Sequence, residues 1–451
     1  MAHFADTIAA PATPTGSSAL AVVRVSGPLA AGLVAALFHA SPTPRQVRRG
    51  DYRDQAGRLI DDVLFSFFQG PQSYTGEDVL EISCHGNQFI ISILLQDLHA
   101  RGCRPAEAGE FTRRAFLNGR MDLSQAEAVA DLIHARSERA LAAAHQQLRG
   151  GLGRHLAHMT DHLVALLAQV EASIDFPEED LPPADRVVLR QGVEDLLAGT
   201  ARLLATGQYG ALLRQGVKTV IVGAPNSGKS SLLNRLVGRE RALVSPEPGT
   251  TRDYLEEAVI LGPHCIRFAD TAGLNPAPGA VERLGIAKTL ECAAEADLIL
   301  WVLDAAVPSP ALPAEIQARL APRNTVVAIN KCDLVPEGPY PTPPGYLPTV
   351  RISALTGAGC DDLVGTIVRL VDSFRVEVGE EMVAINARHA WALQQATGCL
   401  GEAREKIRIG AAAELLASDL RGALASFGEI AGKIDNERIL DQIFATFCIG
   451  K

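Results

Sequence analysis

The spacing of apolar residues divides the chain into segments of two kinds. Between about residues 215 and 374, short apolar runs alternate with stretches of helical periodicity. Residues 218–222 (KTVIV) form one such run, and Leu232, Leu233 and Leu236 then recur at helical spacing. Three further runs are predicted as strands: residues 265–269, 325–329 and 349–352. This alternation predicts an α/β domain.

Residues 1–118 show a mixture of strands and helices. Strands are predicted at 19–25, 62–68 and 79–83, and helices at 29–39 and 89–100. The polar residues in or beside these strands, taken one at a time, are best explained by an edge or surface position: Arg24, Glu81 and His85. The segment is therefore predicted to be a mixed α/β domain.

The remaining segments carry long helical periods. Ser124 and Glu127 form a predicted capping box before a helix at 126–141. Further helices are predicted at 155–174, 187–206, 384–407, 411–426 and 437–447. Because each has an apolar stripe that needs cover, helices on both sides of the α/β domain are expected to pack together. Two separate bundles are the alternative, and the acidic, proline-rich residues 176–185 are expected to be a solvated loop.

These patterns predict a multidomain protein with α/β and all-α parts. The expected boundaries are 1–118 for the N-terminal α+β domain and 215–374 for an inserted α/β domain. The helical domain is expected to be discontinuous, with residues 119–214 as its first part and 375–451 as its second.

Composition narrows the class of protein. The chain has 451 residues and a net charge of −10, which argues against a broadly basic nucleic-acid surface. Its eight cysteines include no CxxC pair, so neither zinc spacing nor a disulfide framework is visible. No signal peptide or spanning apolar run is evident. We therefore expect a soluble, cytoplasmic protein with reduced thiols.

The segment GAPNSGKS, residues 223–230, fits the phosphate-binding pattern G-x-x-x-x-G-K-[ST]. It follows a predicted strand and precedes a predicted helix, which is the context that the pattern needs. Glycines let backbone N–H groups converge on phosphate oxygens. Lys229 is then expected to bridge the β- and γ-phosphates, and the Ser230 hydroxyl to hold Mg²⁺.

Three later motifs follow predicted strands in the order that a GTP site requires. They are DTAG at 270–273, NKCD at 330–333 and Ser353-Ala354, and the polar loop GTTRD at 249–253 stands in the place of a switch. Asn330 and Asp333 suit a guanine edge, and a backbone N–H of the third motif could meet the guanine carbonyl. Here the chain resembles Ras-like P-loop GTPases, and we predict GTP binding.

Five segments point to a narrower family. DTIAAPATPTG near the start, YTGEDVLEISCHG, FLNGRMDLSQAEAVA, VSPEPGTTRDYLEE and the terminal CIGK resemble the MnmE/TrmE family of tRNA modification GTPases over essentially the whole chain. The resemblance implies an N-terminal folate-binding domain that forms a homodimer, a discontinuous helical domain and an inserted GTPase domain. It also implies K⁺-dependent GTP hydrolysis that is driven by association of the GTPase domains.

The resemblance implies a reaction and partners as well. With a MnmG/GidA-type flavoprotein that carries FAD, such proteins add an aminomethyl or carboxymethylaminomethyl group to C5 of the wobble uridine of certain tRNAs. The one-carbon unit comes from 5-formyl- or 5,10-methylene-tetrahydrofolate. A heterotetrameric or larger complex is implied.

Residue roles carry over by position. The implied GTP-binding residues are Asn226, Ser227, Gly228, Lys229, Ser230, Ser231, Ser245, Pro246, Glu247, Pro248, Gly249, Thr250, Thr251, Asp270, Thr271, Ala272, Gly273, Asn330, Lys331, Asp333, Ser353 and Ala354. Thr251 would join Ser230 on Mg²⁺, and the implied K⁺ ligands are Asn226, Ser245, Glu247 and Thr250. Leu274 follows DTAG where Ras has the glutamine that orients water, so Glu282 is implied as the group that positions the nucleophile.

The implied folate-binding residues are Arg24, Glu81, Arg120 and Lys451. The family commonly has lysine where Arg120 stands, which keeps the charge but changes the hydrogen-bond geometry. From spacing alone, Cys448 is either a mobile thiol or a small buried hydrophobe. The resemblance makes it a catalytic candidate for tRNA modification. A ribosome-assembly or signalling switch GTPase without covalent chemistry remains the alternative function.

Overall fold

The computed structural model describes residues 5–14, 16–175, 183–239, 256–269, 290–308, 312–337, 339–374, 383–432, 440, 443–445, 447–448 and 450. The chain divides into two compact units. The first combines Met1–Ala130 with Phe427–Lys451, and the second is Asp131–Ser426. Within these ranges, none of the helices combines the length and the apolar character that a membrane span requires.

The first unit is built on a six-stranded sheet. Its strands are β1 (Thr7–Pro11), β2 (Ser18–Ser26), β3 (Val47–Arg53), β4 (Leu59–Phe68), β5 (Val79–Gly86) and β6 (Cys103–Pro105). The order is β3-β4-β5-β2-β1-β6, and only the β1–β6 pair is parallel. Three helices belong to this unit: α1 (Ala30–Phe38), α2 (Gln88–Ala100) and α3 (Glu110–Leu117).

Alternation along β2 sorts its side chains between the two sheet faces. Ala21, Val23 and Val25 are buried in one apolar core with residues of α1 and α2, whereas Leu20 and Arg24 lie on the other face. One face of the sheet is therefore covered by α1 and α2. On the other face Phe111 of α3 packs against Ile8 and Ala10, while Leu20 remains exposed.

A buried ionic cluster ties α3 to this sheet. Arg114 is fully buried, and its guanidinium lies 2.9 Å from Asp6 Oδ1, 2.9 Å from Glu110 Oε1 and 3.2 Å from Glu77 Oε1. Arg104 contacts the same Asp6 and Glu110 carboxylates. A buried cation is tolerated here because these carboxylates compensate its charge.

Helices dominate the start and end of the second unit. α4 (Leu123–His134) leads into it, followed by α5 (Glu138–Leu148), α6 (Gly151–Asp175), α7 (Pro183–Ala205) and α8 (Gly207–Gln215). The last two helices of the chain with described bounds are numbered α12 (Ala387–Ile409) and α13 (Ala413–Ala431). α7 packs against α12, and Arg421 of α13 forms an ion pair with Glu171 of α6. Helices from before and after the inserted segment thus contact each other, while the boundaries of the four segments stay a prediction.

Along the chain, the strands of a second six-stranded sheet stand between α8 and α12. It comprises β7 (Val217–Val222), β8 (Glu256–Leu261), β9 (His264–Ala269), β10 (Leu298–Asp304), β11 (Thr325–Asn330) and β12 (Thr349–Arg351). The order is β12-β11-β10-β7-β9-β8, and every pair is parallel except β8–β9. The associated helices are α9 (Lys229–Arg239), α10 (Ala314–Gln317) and α11 (Cys360–Asp372). Carboxyl ends of β7, β10, β11 and β12 therefore meet at one edge.

The helix predicted at 126–141 is wrong in extent, because two helices occupy this stretch. Ser137 accepts a hydrogen bond from Ala140 N and begins α5 with its own N-cap. The predicted capping box is also displaced. Asp122 accepts from Gln125 N, while Gln125 Oε1 accepts from Asp122 N, so the reciprocal pair lies two residues earlier than predicted.

Candidate functional site

The phosphate-binding loop joins β7 to α9 and is closed by glycines. Gly223 has φ 152° and Gly228 has φ 94°. A Cβ on Gly223 would lie 2.2 Å from Val302 O, and one on Gly228 would lie 2.1 Å from Asn330 Nδ2. Neither position can hold a side chain, so the loop needs both the conformational freedom and the small size of glycine.

Lys229, the first residue of α9, curls back over this loop. Its Nζ donates to Gly223 O at 3.0 Å and Ala224 O at 2.8 Å. Burial lowers the pKa of this ammonium group. No carboxylate in the described ranges forms an ion pair with it, so its charge, together with the N-terminus of α9, favours an anion.

The other residues of the motif differ in how far their side chains are exposed to solvent. Asn226 has φ 61° and is exposed, as are Ser230 and Ser231 in the first turn of α9. Ser227 is 1% exposed and its Oγ has no hydrogen-bond partner. Its side chain therefore faces the protein interior, and any contact that Ser227 makes with a nucleotide would come from its backbone.

Asn330, at the end of β11, ties two loops together. Its Nδ2 donates to Ser227 O at 2.8 Å, and its Oδ1 accepts from Ala354 N at 2.9 Å. The side chain is buried at 2% exposure. Ser353 N also donates within the protein, to Ala358 O at 2.9 Å. Both backbone donors of the Ser353-Ala354 motif are therefore engaged in this structure.

Lys331 and Asp333 continue this edge of the sheet. Lys331 has φ 65°, and its Nζ lies 2.6 Å from Asp304 Oδ2 at the end of β10. Burial raises the pKa of Asp304, but hydrogen bonds from Lys331 and from Ala306 N lower it more, so the group stays ionised. Asp333 is exposed and is the carboxylate of this motif that remains accessible to a ligand.

A second cluster of predicted residues lies in the first unit. Arg24 and Glu81 are register partners on β2 and β5, with Arg24 Nη2 2.8 Å from Glu81 Oε1. The Arg24 guanidinium also lies over the rings of Tyr74 and Phe111, at 5.4 and 5.6 Å from their centroids, and Nη1 donates to Gly450 O at 3.4 Å. The structure thus brings Gly450 to Arg24.

Two glycines allow the C-terminal segment to approach the sheet and α3. A Cβ on Gly450 would lie 2.0 Å from Pro11 O, and one on Gly109, at φ 66°, would lie 2.8 Å from Phe444 O. Gly109 N donates to Cys448 O at 3.5 Å, and the Cys448 side chain is exposed. The exposed Arg120 lies beside Gly76. The segment is therefore held through the carbonyl groups of Cys448 and Gly450.

Several predicted site residues lie outside the described residues. They are Ser245, Pro246, Glu247, Pro248, Gly249, Thr250, Thr251, Asp270, Thr271, Ala272, Gly273, Glu282 and Lys451. Their roles stay predictions.

Sequence reasoning did not single out three residues of these clusters. Asp304 ends the apolar run of β10, and this position at a strand end is a signal that could have found it. Nothing in the local sequence marks Gly109, whose importance comes from Phe444 and Phe447 far along the chain. The same holds for Arg235 of α9, whose Nε donates to Ala354 O at 3.0 Å.

A glycine-closed loop before a helix, at the edge where parallel strands end beside Asn330 and Asp333, defines a P-loop GTPase. Two family models match the chain: the MnmE helical domain at residues 123–448 and the GTP-binding protein TrmE N-terminus at residues 7–120. The chain belongs to the MnmE/TrmE family of tRNA modification GTPases.

Full-length relatives support this assignment. The tRNA modification GTPase MnmE of Opitutus terrae is 58% identical over 452 residues, with 100% of each chain covered. The MnmE of Akkermansia muciniphila is 43% identical, with 99% of each chain covered. Among solved structures, the G domain of the T. maritima FeoB iron transporter matches 34% of this chain and 98% of its own, with 25% identity and a TM-score of 0.23. The prediction of a GTP-binding enzyme in this family, with α/β and helical parts, is confirmed by the family models and the full-length relatives.

Proposed function

We propose that the protein is a K⁺-dependent GTP hydrolase that acts, with a MnmG/GidA-type flavoprotein, on the wobble uridine of certain tRNAs. The product would carry an aminomethyl or carboxymethylaminomethyl group at C5. The observation that carries the proposal is the pairing of two sites in one chain. One is the phosphate loop with Lys229, and the other is the Arg24 cluster that receives the segment of Cys448.

In the GTPase site, Lys229 would exchange its two carbonyl partners for β- and γ-phosphate oxygens. The exposed hydroxyl of Ser230 fits a Mg²⁺ ligand, and the exposed amide of Asn226 fits a K⁺ ligand. These ions would neutralise charge that develops on the phosphates. Thr251 for Mg²⁺, and Ser245, Glu247 and Thr250 for K⁺, complete the proposed sets.

Glu282 is proposed to position the attacking water, because Leu274 offers no group that could do so. Glu282→Ala should abolish turnover while GTP binding persists. A Glu282→Ala protein that hydrolyses GTP at the wild-type rate would remove this role.

In the first unit, Arg24, Glu81, Arg120 and Lys451 are proposed to bind a tetrahydrofolate derivative, which would supply the one-carbon unit while FAD on the partner supplies redox chemistry. The support is chemical. A guanidinium paired with a carboxylate and placed over two rings offers polar and aromatic contacts to a pterin-like ligand. Cys448 is proposed to act in the modification, since its side chain is exposed and Gly450 of the same segment contacts Arg24.

A homodimer is proposed through the part of the first sheet that its helices leave exposed. Leu20 is 64% exposed and Leu64 is 48% exposed, and both lie on the face opposite α1 and α2. A second copy of the chain would cover these side chains. All eight cysteines are free, which supports the proposed cytoplasmic location.

The first test is GTP turnover by the full-length protein in KCl and in NaCl over a range of protein concentrations. We expect activity that requires K⁺ and a specific rate that rises with concentration as GTPase domains associate. Asn226→Ala should lose the K⁺ response, and mass spectrometry of wobble uridines would then test the tRNA reaction. Equal slow rates in both salts would break the K⁺ assignment and favour a switch GTPase that needs an external activator.

A further inference from the structure

A cavity opens at the edge of the first sheet, between the segment before β3 and the loop after β4. Residues 44–45 and 69–72 line it, and its volume of about 360 Å³ falls within the range of about 300–1,000 Å³ that is typical of small-molecule sites. The lining carries one cation, Arg45, and the side-chain amides of Gln69 and Gln72. These groups donate hydrogen bonds and no lining residue is acidic, so the cavity suits a ligand that carries carboxylates.

Arg45 differs from nearby arginines in its partners. Its Nη2 donates to Gln72 O at 3.4 Å, and no carboxylate among the described residues forms an ion pair with it. Three neighbours, by contrast, each pair with a carboxylate: Arg49 with Asp62, Arg53 with Asp51 and Arg58 with Asp54. A ligand carboxylate in the cavity would therefore meet a cation whose charge the protein does not compensate.

The backbone of Arg45 adopts an uncommon conformation. Its φ of 60° lies in the left-handed region, which is unfavourable for residues that have a Cβ. Contacts with β4 fix it there, because Arg45 N donates to Phe67 O at 2.8 Å and Pro44 pairs with Phe67. Backbone strain of this kind is concentrated at ligand sites, where surrounding contacts maintain it. The strain therefore supports a binding role for the side chain that this residue presents.

Arg45 lies near one end of a line of residues that crosses the sheet to the proposed folate site. Arg24 is the register partner of Glu81, Glu81 of Ser66, and Ser66 of Val47, which stands two residues after Arg45. Three strand spacings of about 4.8 Å therefore place β3 about 14 Å from Arg24.

The loop after β4 borders both ends of this line. Gln72 lines the cavity, and two residues later the ring centroid of Tyr74 lies 5.4 Å from the guanidinium carbon of Arg24. A ligand that binds at Arg24 would therefore already lie beside the loop that leads to Arg45.

Tetrahydrofolate has the length and the charge for this arrangement. About nine bonds join its pterin to the Cα of its first glutamyl residue, and at about 1.2 Å per bond they extend about 11 Å. The long side chain of Arg45 can cover the remaining distance. With the pterin at Arg24 and Glu81, the negatively charged glutamyl end would thus reach the cavity.

We propose that this cavity binds the glutamyl tail of the tetrahydrofolate ligand, with Arg45 as the cation for its carboxylates and Gln69 and Gln72 as further donors. The inference rests on the proposed folate site at Arg24 and Glu81. It makes the protein selective for folates that carry a chain of γ-linked glutamyl residues, because each added residue brings another carboxylate to a cavity without acidic lining residues.

The test compares two ligands on the full-length protein: 5-formyltetrahydrofolate with three glutamyl residues, and 5-formyltetrahydropteroate, which has none. We expect the wild-type protein to bind the triglutamyl ligand at least about tenfold more tightly, the effect of one hydrogen bond to a charged group. Arg45→Asn should remove most of this preference and leave the constant for the pteroate unchanged. Asparagine suits the variant because it tolerates the left-handed conformation, and the unchanged pteroate constant would show that the site is folded. Gln72→Ala should reduce the preference by a smaller factor.

Arg48→Ala is the matched control, since Arg48 is an exposed arginine of β3 that donates to Ser41 O and does not line the cavity. It removes the same charge and should keep the preference. A wild-type protein that binds both ligands alike, or an Arg45→Asn protein that keeps the preference, would overturn the tail site. Equal losses in Arg45→Asn and Arg48→Ala would overturn it too, since they would reflect net charge alone. A wild-type protein that binds neither ligand would instead overturn the proposed folate site itself.

Discussion

The phosphate loop and the C-terminal segment hold their reactive side chains by different means. Lys229 is fixed by carbonyls five and six residues before it, and two glycines shape the loop between them. The segment of Cys448 is held by Arg24 and Gly109, and Arg24 lies 426 positions from the Gly450 that it contacts. Local geometry therefore governs the first site, whereas long-range packing governs the second.

The largest effect should come from Lys229→Ala, which removes the cation from a locally built site. We expect kcat/KM for GTP to fall at least about 1,000-fold, or about 4 kcal/mol of transition-state stabilisation. The rate of Cys448 alkylation should not change, because its contacts lie in the other unit. Lys218→Ala is the control, since Lys218, at the start of β7, forms an ion pair with Glu295. This variant should keep turnover within about twofold of the wild-type rate. Equal losses in the two variants would contradict a specific role for Lys229.

A smaller effect, a loss of stability in the first unit, is expected from Arg114→Met. The substitution leaves the carboxylate of Glu77 partly buried without its cation, and it leaves Glu110 with Arg104 as its remaining cation. We expect the free energy of opening of β1 and β5 to fall by about 3 kcal/mol in hydrogen exchange, the typical cost of breaking a buried pair. GTP turnover should be retained.

Arg53→Met provides the comparison for Arg114, because Arg53 pairs with Asp51 at the surface of the same unit. Exposed pairs contribute about 1 kcal/mol or less. Arg114→Met protein with the same exchange rates as Arg53→Met would show that the buried cluster does not stabilise this sheet.

Gly450→Ala and Gly109→Ala probe the packing of the C-terminal segment directly. Each added Cβ would meet backbone atoms within 3 Å, so the segment must move away from Pro11 or α3. We expect tRNA modification with the flavoprotein partner to fall at least about tenfold, as a misplaced reactive group would cause. GTP turnover should persist and Cys448 should alkylate faster.

Gly32→Ala is the control for these two variants, because nothing lies within 4 Å of the position that its Cβ would take. It should leave both modification and alkylation unchanged. Normal modification by Gly450→Ala protein would remove the requirement for close packing at the terminus.

The same contrast explains what the sequence could predict. The phosphate loop could be predicted because its motif is a run of consecutive residues. The motifs that follow predicted strands indicated the edge of the second sheet where Asn330 and Lys331 lie. The sequence could not show that the side chain of Asn330 forms hydrogen bonds with Ser227 O and Ala354 N, since these bonds depend on how three loops meet. Gly109 and Arg235 were missed because their partners are distant in sequence. The edge strand β3 was missed because VRRGDYR has no apolar alternation.

The smallest expected effect is a difference between the two units in how their stability depends on pH. His264 is 3% exposed in the second unit, with Nε2 3.1 Å from Asp372 Oδ1, which also accepts from Arg139. Burial lowers the pKa of His264 below 6.5, and the raising effect of Asp372 offsets this only in part. The neutral His264 therefore costs no stability above pH 6.5. As the pH falls from 6.5 toward the pKa of His264 in the folded protein, the free energy of unfolding declines.

In the first unit, the pKa of Glu110 stands below its usual 4.5. Burial raises it, but hydrogen bonds from Arg104, Glu107 N and Arg114 lower it more, so its stabilising effect is lost only in more acidic solution. Between pH 7 and 5, titration of His264 should lower the free energy of unfolding of the second unit by about 1 kcal/mol or less. Titration of Glu110 should not lower that of the first unit in this range. Thermal unfolding followed by the fluorescence of Trp301 and Trp391, both in the second unit, would detect it. His264→Asn should remove most of the decline and the exposed His158→Asn should not, whereas equal declines in both variants would place the titrating group elsewhere.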